Sequence, residues 1–223
     1  MKYESAFEII GPVMVGPSSS HTAGAVRIGN IARQMCPFEP AVVRFELMGS
    51  FAETYQGHGT DLALLAGVMG FTTFSNEVAD AKQIADERDL RYTFETVPVG
   101  NFHPNSVRVI LIAEDNETLT LVASSLGGGK AEVQEIEKLP LKFTGEQPTL
   151  LFYHEDSIGF IADISVALTK RGYNIARFAN ERWRKGGKAI SLCVVDSAVS
   201  QTLLAEITTE VPAITQSFFV QTT

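Results

Sequence analysis

Between Thr22 and Met35 the apolar residues Ala25, Ile28, Ile31, Ala32 and Met35 recur at steps of three and four. That is the period of a helix from about Thr22 with one buried face, leaving Arg27 and Arg33 in water. The period then changes. Val43, Phe45 and Leu47 alternate with polar residues within Val42–Met48, which predicts a strand with one face on a core. The apolar run Leu62 to Phe71 predicts a helix opening near Asp61, and a further helix is predicted over Glu77–Arg88. Strands follow over Arg91–Val97, Ser106–Ala113, Leu119–Ser124 and Ala131–Glu137. This mixture defines an α+β domain with a mixed or antiparallel sheet, assigned to residues 1–145.

Pro140 to Pro148, with Gly145 and several charges, reads as a linker. Beyond it the predicted order is strand Thr149–His154, helix Ile158–Arg171, strand Asn174–Trp183, strand Lys188–Val195, helix Ser200–Thr209 and strand Ile214–Val220. Strand-helix-strand-strand-helix-strand is the split βαβ pattern, so residues 146–223 are expected to form a βαββαβ, ferredoxin-like domain. Gly172 closes its first helix, and Arg184 to Lys188 supply a hairpin turn.

Composition narrows the function classes. The chain has 223 residues, long enough for one large or two modest domains, and 45% of them are hydrophobic, enough to build cores. With 26 acidic and 18 basic residues the net charge is −8, and no basic block is interleaved with aromatics, which argues against nucleic acid. No stretch reaches the length of a membrane span, and the apolar run of MKYESAFEIIGP is too short for a secretory signal, so a cytoplasmic location without a membrane partner is expected. Cys36 and Cys193 lie far apart with no CxxC and no neighbouring ligand at metal spacing. Both read as ordinary small buried or half-buried residues, and no metal site is expected in this chain.

Four segments carry candidate chemistry. Gly16 to Gly24 read GPSSSHTAG, placing Ser18, Ser19, Ser20, His21 and Thr22 at the N-cap of the first helix. Unpaired N–H groups and the positive end of the helix dipole favour a carboxylate or phosphate there, and hydroxyls add donors without charge. Plain capping is the alternative, but one cap does not use so many polar groups. Gln56 to Asp61 read QGHGTD: His58 stands between two glycines, and Thr60 or Asp61 is a good N-cap for the next helix. Asn101 to Asn105 read NFHPN, a turn in which Pro104 keeps His103 out of helical angles and Asn105 follows. Three of the four histidines thus lie in turn-rich junctions, and histidine gains and loses a proton near neutral pH. Ser125 to Val133 read SLGGGKAEV. A phosphate loop would need Gly at Ser124 and Ser or Thr at Ala131, so Gly128 belongs either to a glycine turn between strands or to a close backbone approach to a ligand.

GPSSSHTAG, GHGTD, HPN and SLGGGKAEV, in this order over almost the whole chain, resemble the beta chain of the two-chain bacterial iron-sulfur-dependent L-serine dehydratases. The resemblance implies removal of water and ammonia from L-serine to give pyruvate, with a [4Fe-4S] cluster as Lewis acid. Two scattered cysteines cannot hold such a cluster, so it implies a separate alpha chain that brings it. It also implies that Ser18, Ser19, Ser20 and the helix N-terminus hold the substrate carboxylate, with Thr22, Thr60, His103, Asn105 and Gly128 completing the binding site. His58 is then the expected base or proton shuttle, oriented by Asp61 or Thr60, and His21 a positioning or second proton-transfer group; the two histidine roles can be exchanged. The segment HEDSIGFIADISVALTKRGYNI resembles an ACT domain, which implies an amino-acid effector and a homodimer through paired copies. Two other readings stay open. One is a sensor of an anionic metabolite, like the substrate-binding module that accompanies an ACT domain in some 3-phosphoglycerate dehydrogenases, although a phosphate sensor would favour Arg or Lys where His21 and His58 stand. The other is a scaffold subunit whose Ser and His features are caps.

Overall fold

The computed structural model describes residues 14–222, and these divide into two compact units. The first runs to Lys138 and takes in Lys142–Thr144; the second comprises Leu139–Leu141 and the chain from Gly145 onward. No helix of the described residues is long and apolar enough to cross a membrane.

A π-helical turn, Ser19–Ala23, opens the first unit and runs into α1 (Gly24–Gln34). The helical backbone therefore begins at Ser19, three residues before the predicted start. Ser18 is the N-cap, and its hydroxyl accepts from the His21 N–H. Then come β1 (Val42–Met48), α2 (Gly49–Thr54), α3 (Thr60–Val68), a 3-10 turn (Asn76–Val78), α4 (Ala81–Glu87) and β2 (Arg91–Val97). The short α2 was not predicted, and the helix expected over Glu77–Arg88 is split, because Asp80 leaves helical angles between its two pieces. β3 (Ser106–Ile112), β4 (Thr118–Gly127) and β5 (Lys130–Ile136) complete the unit.

The sheet order is β2-β1-β3-β4-β5, with β1 and β2 parallel and the other neighbours antiparallel. A parallel pair requires a crossover connection, and α2, α3 and α4 supply it. Val43, Phe45, Leu47, Val107, Val109, Leu111, Leu121 and Ala123 are buried on one face. The other face carries Glu46 and Arg108, opposite each other across β1 and β3 and joined as an ion pair.

α1 and α3 meet through two glycines. A β-carbon on Gly67 would stand 2.2 Å from the Val26 carbonyl oxygen, and one on Gly29 would stand 2.5 Å from that of Leu64. The backbones approach this closely because neither position has a side chain, and Asn30 then donates to the Gly67 and Phe71 carbonyls at 2.9 Å, satisfying groups at the end of α3.

In the second unit the order is β6 (Thr149–Glu155), α5 (Phe160–Thr169), β7 (Ile175–Arg182), β8 (Lys188–Val195), α6 (Gln201–Glu210) and β9 (Ile214–Val220). Its sheet is β7-β8-β6-β9, antiparallel throughout. Leu150, Phe152 and Cys193 from the sheet pack with Ile164, Leu168, Leu204 and Ile207 from the helices. His154, the histidine outside the four motifs, is a buried member of this unit: its ring stacks on Phe160 at 3.5 Å, and its nitrogens lie about 3 Å from the Glu155 carbonyl, Asn180 and Ser191.

Candidate active site

Strand register gathers the motifs of the first unit. Met48 at the end of β1 pairs with Ser106 at the start of β3, and Ser106 pairs with Ser124 near the end of β4. The segments leaving these positions all emerge at one end of the sheet. There Gly49 has a φ of +50°, and a β-carbon on it would lie 2.6 Å from the Pro104 carbonyl oxygen, so the start of α2 rests on the His103–Asn105 turn. Ser106 donates to the His103 carbonyl at 2.6 Å and lies 2.7 Å from the Ser124 hydroxyl; Ser125 N–H donates to the Asn105 carbonyl at 2.9 Å. Ser125 Oγ is buried against Gly24, which brings the start of α1 onto β4. Arg27, expected in water, instead donates to the Gly129 carbonyl at 2.8 Å and ties α1 to the β4–β5 turn, where Gly127, Gly128 and Gly129 all have positive φ.

At the centre are His21 and His58, with ring centroids 4.7 Å apart in an edge-to-face arrangement. His21 Nδ1 is 3.2 Å from Ser20 Oγ and 3.5 Å from Ser18 Oγ, and its Nε2 is 3.3 Å from Ser50 Oγ. Thr22, buried in the same turn, donates through Oγ1 to the His58 carbonyl at 3.3 Å. Three side-chain atoms here are buried without a hydrogen-bond partner among the described residues: His58 Nδ1, Thr60 Oγ1 and Ser125 Oγ. Such orphans cost roughly 1–3 kcal/mol each and call for an explanation.

The expected partnership of Asp61 with His58 is not what the structure shows. Asp61 is buried in the first turn of α3 with its carboxylate 2.6 Å from Lys82 Nζ on α4, and this hydrogen bond raises the Lys82 ammonium above its ordinary range. A buried carboxylate takes the nearest cation in preference to a neutral imidazole, because unpaired charge in the interior is expensive. His58 is placed by backbone bonds instead: its N–H donates to the Thr54 carbonyl, its carbonyl accepts from Thr22, and Thr60 N–H donates to the Tyr55 carbonyl. Nor does His103 turn its ring onto the pair. It is exposed, and its Nδ1 accepts from the Asn105 N–H at 3.1 Å within its own turn. Ser19 is half-buried, its carbonyl accepting the Gly24 N–H of the π turn. Sequence reasoning missed Ser50 and Lys82. The Gly-Ser step after β1 was the available signal for Ser50, while nothing in the local sequence connects Lys82 to Asp61.

Burial, and next the charge of His58, lower the His21 pKa below its ordinary 6.5. Unfolded His21 therefore binds its proton more readily than folded His21. Its contribution to stability is full above about pH 6.5 and is lost as pH falls through the lowered folded value. We expect the urea midpoint to fall on acidification from pH 7.5 to 5.5, with a shallower fall in His21→Gln. Parallel falls in the two proteins would remove this contribution.

Neither thiol suits an iron-sulfur cluster. Cys36 belongs to the first unit and donates to the Phe38 carbonyl, with burial raising its pKa; Cys193 is buried in the second unit, its thiol pushed up to about 12. Cluster ligands are thiolates, normally several of them. Among the described residues no group of three or more His, Cys, Asp or Glu is arranged to hold a metal ion.

The fold and site thus define a two-unit α+β chain that presents hydroxyls, helix N–H groups and a pair of imidazoles around one point. Known sequences agree: the profile described as serine dehydratase beta chain matches residues 5–136, and the chain belongs to that family. It is 40% identical over 207 residues to the "Probable L-serine dehydratase, beta chain" of Bacillus subtilis (strain 168), covering 93% of this chain and 94% of that one. It is 38% identical over 205 residues to the "L-serine dehydratase, beta chain" of Peptoniphilus asaccharolyticus, covering 91% and 92%. "L-serine dehydratase 2" of Escherichia coli (strain K12) is 28% identical in an alignment of 149 positions that covers 56% of this chain and 32% of that protein.

Proposed function

We propose that this chain is the beta subunit of an L-serine dehydratase and forms pyruvate and ammonia from L-serine together with an alpha chain that carries a [4Fe-4S] cluster. The names of relatives matched over more than 90% of their length support the substrate. The Escherichia coli relative supports the need for a partner, since about two thirds of it lies outside the matched part.

The observation that carries the reading is the His21–His58 pair against the serine turn, with a buried His58 Nδ1 that has no partner among the described residues. In this reading Ser18, Ser19, Ser20 and the N–H groups of the π turn hold the substrate carboxylate, which the helix dipole also favours. His58 accepts the Cα proton, and His21 orients the serine hydroxyls. Thr22 fixes the His58 loop, Thr60 offers its buried hydroxyl, and Asn105, His103 and Gly128 shape the turns around the site. Asp61 acts through its pairing with Lys82, which anchors the first turn of α3. Because these side chains are hydroxyls and imidazoles, the phosphate-sensor reading is disfavoured.

In the second unit the strand order, with one helix after β6 and one after β8, supports an ACT-type module that binds an amino-acid effector and pairs two copies of the chain.

Anaerobic co-expression with a cluster-bearing alpha chain, followed by assay of pyruvate from L-serine, tests the reading. Turnover is expected only with both chains and reconstituted iron and sulfide. Full activity from this chain alone without metal would overturn it.

A further inference from the structure

Ser50 stands at one end of a chain of polar groups that runs through His21 into the serine turn. A neutral imidazole carries one N–H and one lone pair, while each hydroxyl has a single hydrogen to give. Ser50, His21, Ser20 and Ser18 form a chain with separations of 3.3 Å from Ser50 Oγ to Nε2, 3.2 Å from Nδ1 to Ser20 Oγ and 3.3 Å from Ser20 Oγ to Ser18 Oγ. This chain can run in two senses. If Nε2–H donates to Ser50, Nδ1 must accept, and it takes the Ser20 hydrogen; with Ser18 O–H then donating to Ser20 Oγ, the turn has no hydroxyl hydrogen left for an anion. If Ser50 O–H donates to Nε2, Nδ1–H donates to Ser20 Oγ. With the Ser18–Ser20 bond kept, one of their two hydrogens is then free for an anion, while Ser18 Oγ also accepts the His21 backbone N–H at 3.2 Å.

Two observations favour the second sense. Among the described residues His21 Nε2 is the one hydrogen-bond partner of the half-buried Ser50 hydroxyl, so its hydrogen has a single acceptor within the protein. Ser50 is also firmly placed, between a Gly49 wedged against Pro104 and a Ser50 carbonyl that accepts from Thr54 Oγ1 at 2.7 Å.

We propose that Ser50 is a positioning residue that holds His21 as the Nδ1–H tautomer and thereby makes the Ser18–Ser20 turn a hydrogen-bond donor to a carboxylate. The inference rests on the reading of that turn as the substrate carboxylate site. Its partner in recognition is the oxyanion of a small carboxylic acid.

Nitrogen-15 NMR of the histidine rings in the full chain, above the His21 titration, tests the tautomer directly. Wild type should show a protonated Nδ1 and a bare Nε2 at His21. Ser50→Ala should move the balance toward Nε2–H, and Ser50→Thr, which keeps the hydroxyl, should retain the wild-type tautomer. In the assembled enzyme Ser50→Ala should raise KM for L-serine about three- to ten-fold, of the order of one hydrogen bond, with kcat within about two-fold. Ser50→Thr should stay within about two-fold in both. A wild-type Nε2–H tautomer, or no change in Ser50→Ala, overturns the proposal. If wild type with its partner makes no pyruvate, the functional reading fails while the tautomer measurement still decides the role of Ser50.

Discussion

His58→Asn in the assembled, cluster-loaded enzyme is expected to lower kcat about 10²- to 10⁴-fold, the usual cost of losing a general acid or base. KM for L-serine should change little, because the carboxylate is assigned to the serine turn. Asn keeps a similar size and a polar end but cannot accept a proton near neutral pH. The His58 loop should hold its shape, since it is fixed by backbone bonds to Thr54 and Tyr55 and by Thr22 rather than by the ring. The check is steady-state pyruvate formation across pH 6 to 9, with matched iron content in the two proteins. Near-normal turnover would pass the proton-accepting role to His21 or to a group of the partner chain.

Gly67→Val should be the most damaging single change to stability in the first unit. Even the first added carbon meets the Val26 carbonyl at 2.2 Å and the Gly29 α-carbon at 2.9 Å, and both are backbone atoms that cannot swing aside. Overpacking of this kind typically costs 1–3 kcal/mol and occasionally more; here about 3 kcal/mol is expected, because α1 and α3 must separate along their shared face. In thermal unfolding that corresponds to a Tm lower by about 10 °C. Gly57→Ala, where the nearest atom is 3.7 Å away, is the control and should stay within about 0.5 kcal/mol. Equal Tm values for the two variants would mean that the helices have room to adjust.

Periodicity revealed the strands best. β1, β2, β8 and β9 occupy the residues that their patterns predict, since alternation or a continuous apolar run bounded by turns leaves little choice of register. α2 escaped notice because six residues of mixed character directly after a strand show no period. The first helix begins early for a different reason: serines are indifferent helix formers, so Ser19 and Ser20 read as residues outside it, yet the next residue, His21, is anchored against Phe51, His58 and Ser50, and the chain enters through a π turn. At the site, residue types pointed to a turn of hydroxyls with imidazoles, and the structure brings His21, His58 and Ser20 together there. Distances across the chain could not be foretold. Asp61 follows His58 by three positions but bonds Lys82, twenty-one positions onward, and Ser50 reaches His21 across twenty-nine. Local sequence shows which groups are available, and the parallel β1–β2 crossover decides which of them meet.

On the proposed reading of the site, the meeting of four separate segments at one end of the five-stranded sheet couples ligand binding to the whole first unit. The ligand-competent arrangement draws on residues before α1, on the loop between α2 and α3, on the turn before β3 and on the β4–β5 hairpin, so no small part of the unit can bind by itself. Partial openings that release any one segment are thus expected to abolish affinity. A bound ligand therefore suppresses them all together, by an amount set by its concentration relative to Kd. Amide hydrogen exchange should consequently slow along β1, β3, β4 and α1 at once when the site is filled, rather than in a patch around the serine turn.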